Sequence, residues 1–214
     1  VGDSNLVIMF EHGGPIFHFI MVLSVVALGL VIERFIWLSK TGKRDDIFFA
    51  GFQKRLEEGS PKAELIELCE QQDSPLGELL QHSVEHGSLG LLALRRISLD
   101  FFGEEVRPQL EQNLNWLATI GRLAPMIGLF GTVYGMMGAF NRMAHAATQA
   151  KPQELAGDIN IALATTVGGL FVALLTVGFH TVLVQKVRNL ERNYQRKLGK
   201  SLPAMRGIDS KESA

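Results

Sequence analysis

Three long stretches of this chain carry no Asp, Glu, Lys or Arg: 20 residues from Gly13 to Ile32, 19 from Leu123 to Asn141 and 27 from Ile159 to Gln185. The hydrocarbon core of a bilayer takes about 20 apolar residues of helix. Inside it, every backbone N–H and C=O must find a partner without water, which leaves helices and closed barrels. The stretches therefore predict an all-α membrane protein with three transmembrane helices, placed at 15–38, 119–141 and 158–185. The rest of the 214 residues suffices for a modest helical domain. The first stretch lacks a basic flank before it and is followed by Glu33-Arg34, not by a small-residue cleavage site, so it reads as a span rather than a cleaved signal.

Lysine and arginine are unevenly spread. Segment 1–14 has none, 39–118 has nine, the loop 142–157 has two (Arg142 and Lys151) and the stretch from 185 on has eight. The excess of basic residues marks the cytoplasmic side. The N-terminal segment 1–14 and the loop 142–157 are thus expected outside, and the domain 39–118 and the tail 186–214 inside. Net charge is −1 and no basic block points to nucleic acid. Cys69 is the single cysteine, which excludes an intrachain disulfide and a CxxC site.

The cytoplasmic part reads as helices. Ser60-Pro61 and Ser74-Pro75 each suggest a serine N-cap before a proline at the first helical position. Ile47, Phe48, Phe52 and Leu56 suggest a further short helix. A helical pattern runs from Leu91 with little interruption into the second span. The third span continues as VRNLERNYQRKL, without a breaker until Gly199. These extensions are expected to bundle, with the segment between the first and second spans packed against them as a small helical domain. His82 and His86 stand four apart, a metal-ligand spacing, but with no third ligand evident and no HExxH they read as two exposed polar residues near a helix end.

Within the second span, GLFGTVYGMMG (Gly128–Gly138) carries four glycines in eleven residues. Each would cost about 1 kcal/mol against alanine in a soluble helix. At 100° per residue, Gly121, Ala124, Gly128, Gly131, Thr132, Gly135, Gly138 and Ala139 share one face, and Met126, Phe130, Val133, Met137 and Phe140 lie mostly elsewhere. Apolar side chains gain little by leaving lipid, so small residues that let backbones approach make the contact faces. In the third span Asp158, Ala162, Thr165, Gly169, Ala173, Thr176 and His180 share a narrow sector, with Thr166 at its edge. Leu163, Val167, Leu170, Leu174 and Val177 face the other way. Polar groups at membrane depth face protein or water and suggest an ion or substrate path, although a threonine hydroxyl often only bonds back to its own helix. His180, near the cytoplasmic end of its span, reads as an interfacial polar residue rather than a proton relay, and as a candidate polar group at that mouth. No carboxylate lies mid-span, because Glu33 and Asp158 sit at span ends. An ion path through this protein would need its carboxylate from a partner helix.

APMIGLFGTVYGMMGAF (Ala124–Phe140) closely resembles the second-span signature of the ExbB/TolQ/MotA proton-channel family, in its ExbB/TolQ branch. ALATTVGGLFVAL (Ala162–Leu174) resembles the third-span signature, and Gly13–Phe35 is similar to the first span with its terminal Glu-Arg. The MotA branch differs in having four spans. The resemblance implies a ring-forming, non-enzymatic motor subunit: a homopentamer in the bacterial inner membrane around the helices of an ExbD- or TolR-like single-span protein carrying an essential aspartate. Ion flow would drive work on the outer membrane through a TonB- or TolA-like protein. It matches the family's pore-lining threonines to Thr132 and Thr166, with Thr165 as the alternative, beside the helix-packing face that the 100° spacing itself gives to Gly128, Gly131, Gly135, Gly138 and Gly169. The chain departs from the pattern at Ile161 and Leu175, where glutamate and proline are usual, at His180-Thr181 for Tyr-Asn, and at Tyr134 for tryptophan. Asp158 and Asn160 are candidate polar groups at the outer mouth. No bound cofactor or metal is expected. The sparse polar groups on the stripe favour H⁺ over Na⁺ as the conducted ion. A passive scaffold held by helix packing accounts for the glycines but not for the aligned threonines. An enzyme lacks support, for there is no Gly-rich phosphate loop, nucleophile elbow or metal cluster.

Overall fold

The computed structural model describes residues 14–145 and 152–206. Most of the expected outer segment 1–14, the middle of the 142–157 loop with Lys151, and the end of the tail lie outside the described residues. Among the described residues, seven α-helices follow in order: α1 (Gly14–Glu58), α2 (Lys62–Glu70), α3 (Pro75–Glu85), α4 (Leu91–Phe101), α5 (Arg107–Glu111), α6 (Leu114–His145) and α7 (Pro152–Met205), with a π-helical turn at Phe102–Val106. No strand occurs among the described residues. Helices α1, α6 and α7 are each long and apolar enough to cross a membrane.

Two compact units form, one from the chain up to Glu33 with Asn113–Val182, the other from Arg34–Gln112 with the chain from Leu183 on. The first holds the apolar parts of α1, α6 and α7. Its core is small: Ile20, Ala124, Val172 and Ala173, with Ile16, Leu23 and Ile127 packed against them. Its outside is apolar, with Val25 68%, Met126 65% and Leu174 72% exposed. Such a surface is stable against lipid chains and would associate in water. Pro125 sits inside α6, where it withholds the N–H that would bond the carbonyl one turn earlier.

The second unit is built like a soluble protein. Leu65, Leu76, Leu79, Leu80, Val84, Leu94, Val106 and Leu110 are fully buried. Ser83 and Ser98 pair their buried hydroxyls at 2.9 Å. Buried Arg34 donates to the Gln109 carbonyl and, at 2.8 Å, to that of Leu110, satisfying carbonyls at the end of α5. Buried Asp45 accepts from the Tyr194 hydroxyl and from Gln72 Nε2 at 3.4 Å. Lys197 donates to the Asp45 carbonyl at 2.9 Å and pairs with Asp46 at 2.7 Å. Burial, then the Asp45 charge, push the Tyr194 phenol well above its ordinary value, so it stays a donor.

Several helix limits differ from the sequence reading. The residues Ile47–Leu56 form no separate helix but continue α1, which ends at Glu58. There Gly59 takes φ +77°, with Ser60 N–H bonding Arg55 O and Gly59 N–H bonding Leu56 O, the paired bonds of a left-handed glycine cap. Ser74 caps α3, its Oγ accepting from Gly77 N at 3.2 Å. Ser60 caps nothing: Pro61 is the N-cap of α2 and offers no side-chain bond. The pattern from Leu91 does not run unbroken into the second span. It passes through the π turn and stops where Gln112 is extended and Asn113 takes φ +64°. Gly199 does not end α7, which continues to Met205, because Leu198, Leu202 and Met205 are buried and outweigh the roughly 1 kcal/mol helix cost of glycine.

Candidate functional site

The seam between α6 and α7 is set by glycine. An alanine Cβ at Gly128 would stand 2.9 Å from Thr165 O and 3.1 Å from Thr166 Cα. One at Gly169 would stand 2.5 Å from Ala124 O and 3.0 Å from Gly128 Cα, and one at Gly135 would be 2.8 Å from Ala162 Cβ. At Gly131 it would collide with the Thr165 side chain. All but the contacts at Gly131 and Gly135 are with backbone, which cannot rotate away. Gly138 is different: nothing lies within 4 Å of its added Cβ. It belongs to the same face but not to this contact.

The three threonines hold three positions. Thr165 is buried in the seam, donating to Ala162 O at 2.6 Å with Gly128 O also within 3.3 Å. Thr166 is half-buried beside it and donates across the seam to Gly128 O at 3.0 Å. Thr132 is half-buried and donates to Leu129 O, one turn back in its own helix, at 2.7 Å. Each hydroxyl proton is thus directed at a carbonyl, and the oxygen lone pairs are what a threonine can still offer.

Toward the Asp158 end of α7 the seam opens into a cavity of about 480 Å³, lined by Gly131, Gly135, Gly138, Tyr134, Ile161 and Thr165 among others. Arg142 and Asp158 form an ion pair at its wall. Asp158 was read from sequence as a mouth residue, but Arg142 was not read as its partner. The signal available was two opposite charges at neighbouring ends of the second and third spans. Asn160 is exposed. His180 is half-buried and lies 14 residues beyond Thr166, about 21 Å along the helix axis. It is not brought to the threonines.

Three long apolar helices, two of them closed on each other through glycine with threonines on the seam, make this an all-helical membrane protein. The chain belongs to the MotA/TolQ/ExbB proton channel family, whose model matches residues 71–196. It is 28% identical over 190 residues to the biopolymer transport protein ExbB of Neisseria meningitidis serogroup A, covering 81% of this chain and 84% of that protein. It is 41% identical over 85 residues to the Tol-Pal system protein TolQ of Haemophilus influenzae, covering 40% and 37%. A putative ExbB homolog of Methanothermobacter thermautotrophicus is 25% identical over 180 residues, covering 84% and 63%.

Proposed function

We propose that this chain is the ring-forming subunit of an inner-membrane motor driven by the proton motive force. A homopentamer with periplasmic N-termini and cytoplasmic C-termini would enclose the helix of an ExbD- or TolR-like protein. That helix supplies the mid-span aspartate that these spans lack, and the work passes to a TonB- or TolA-like protein. The observation that carries the reading is the half-buried Thr166 hydroxyl, held across a glycine seam by Gly128 O at 3.0 Å. Its free lone pairs can accept from a protonated carboxyl. Thr132 is the companion lining group, and Thr165 acts within the seam. H⁺ is the conducted ion.

The competing reading is a non-conducting scaffold, favoured by the fact that all three hydroxyls already have carbonyl partners. Thr166→Val keeps the side-chain volume and removes the hydroxyl. In cells, the variant complex should assemble at wild-type levels, with native mass spectrometry giving five copies plus one or two of the partner, and should lose energised function. Retained function, or a homo-oligomer that purifies without an aspartate-bearing partner, would favour the scaffold.

A further inference from the structure

Outside the spans, HSVEH (His82–His86) places His82, Glu85 and His86 within a 100° arc near the C-terminal end of α3. One ligand atom from each lies within 4.8 Å of the others. Tetrahedral ligand atoms around zinc stand about 3.4 Å apart, so small side-chain rotations close the set. The histidines are half-buried, not exposed, and Glu85 is the third group that spacing alone did not bring into view. The rings are held by their surroundings. His86 Nδ1 lies 2.9 Å from the His82 carbonyl, which can only accept. That bond fixes the tautomer that leaves the Nε2 lone pair available, and it is the outer contact a metal-bound histidine usually makes. The His82 ring stacks on Phe101 at 4.2 Å with a 16° interplanar angle, which fixes its plane. Gln81 Nε2 donates to Glu85 Oε1 at 3.2 Å, orienting the carboxylate. The C-terminal end of a helix also favours a cation.

We propose that His82, Glu85 and His86 bind one divalent transition-metal ion of the Zn²⁺ class. Two imidazoles and a carboxylate suit Zn²⁺, Ni²⁺ or Cu²⁺ over Mg²⁺ or Ca²⁺, which prefer all-oxygen sets. Three protein ligands leave a fourth position to water. The test uses the full chain in detergent, without a polyhistidine tag, stripped by chelator and titrated with Zn²⁺ and separately with Mg²⁺. One Zn²⁺ per chain is expected, with no Mg²⁺ uptake, and His82→Asn and His86→Asn should each weaken Zn²⁺ binding at least about tenfold. Failure to take up one equivalent overturns the proposal, as does uptake that persists unchanged in the double variant. Should that variant not fold, wild-type protein decides. Zn²⁺ should protect His82 and His86 from diethylpyrocarbonate, read by peptide mass spectrometry, and unprotected rings overturn the site.

Discussion

Gly169→Ala should destabilise the protein, whereas Gly138→Ala should not. The added methyl at 169 would stand 2.5 Å from Ala124 O, 3.0 Å from Gly128 Cα and 3.2 Å from Gly128 N. All three atoms are backbone, so relief requires α6 and α7 to move apart by roughly 0.5–1 Å. A gap of that size forfeits about a quarter to a half of each dispersion contact along the seam. It also stretches the Thr166 bond to Gly128 O from 3.0 Å past ordinary hydrogen-bond length. Overpacking of this kind costs about 1–3 kcal/mol, offset in part by the roughly 1 kcal/mol helix preference of alanine over glycine. Contacts this short with backbone put the cost at the upper end of that range, and the net loss of up to about 2 kcal/mol lowers the melting temperature by up to roughly 8 °C in a chain of this size. At 138 nothing lies within 4 Å, so only the helix preference acts, and stability should hold or rise slightly. Purified variants heated in mild detergent and passed over a size-exclusion column give both values. A Gly169→Ala protein as stable as wild type, or equal losses at 138 and 169, would refute the close-contact argument.

Ser74→Ala should cost about 1 kcal/mol by removing the α3 cap, while Ser60→Ala should be near neutral because Pro61, not Ser60, is the N-cap of α2; thermal melts of the pair check this. Tyr194→Phe leaves the buried Asp45 carboxylate short of a donor and should cost about 1.5–3 kcal/mol, a loss that Asp45→Asn in the same chain should partly remove in a double-mutant cycle. Cys69 is 2% exposed, and burial, then the Glu70 and Glu85 charges, push its thiol up to about 12. Iodoacetamide at pH 8 should therefore label it only after denaturation, and rapid labelling of the folded chain would contradict its burial.

The three long apolar helices were legible because a charge-free run of about 20 residues is the length of one helix across a bilayer and needs no tertiary information. The glycine face was legible for a similar reason, since 100° per residue sorts Gly128 and Gly131 from Phe130 and Val133 before any partner is known. Helix limits were less so. Between Leu38 and Ile47 the character of the residues changes while nothing breaks the helix, and leaving the membrane was mistaken for ending α1. The stop before α6 rests on Asn113, a residue that tolerates left-handed backbone but does not announce it. Tyr194 and Asp45 stand 149 residues apart, and no local pattern relates them. Within the candidate site the stripe was visible, but not which of its members touch. Gly138 and Gly135 look alike in sequence and meet different surroundings.

The hydrogen bond from Thr166 to Gly128 O bears on any acid brought against it. A hydroxyl with an uncommitted proton would serve a carboxylate and a carboxylic acid equally. This one has its proton directed at a carbonyl that cannot donate in return, so as placed it offers an acid its lone pairs, which accept only from the neutral form. Bonding to one protonation state alone raises the pKa of the group that titrates. By linkage, an acid set against Thr166 would hold its proton more tightly than the same acid set against apolar packing with equal desolvation. A glycine carbonyl in one helix thereby gives the neighbouring helix a direction of proton preference.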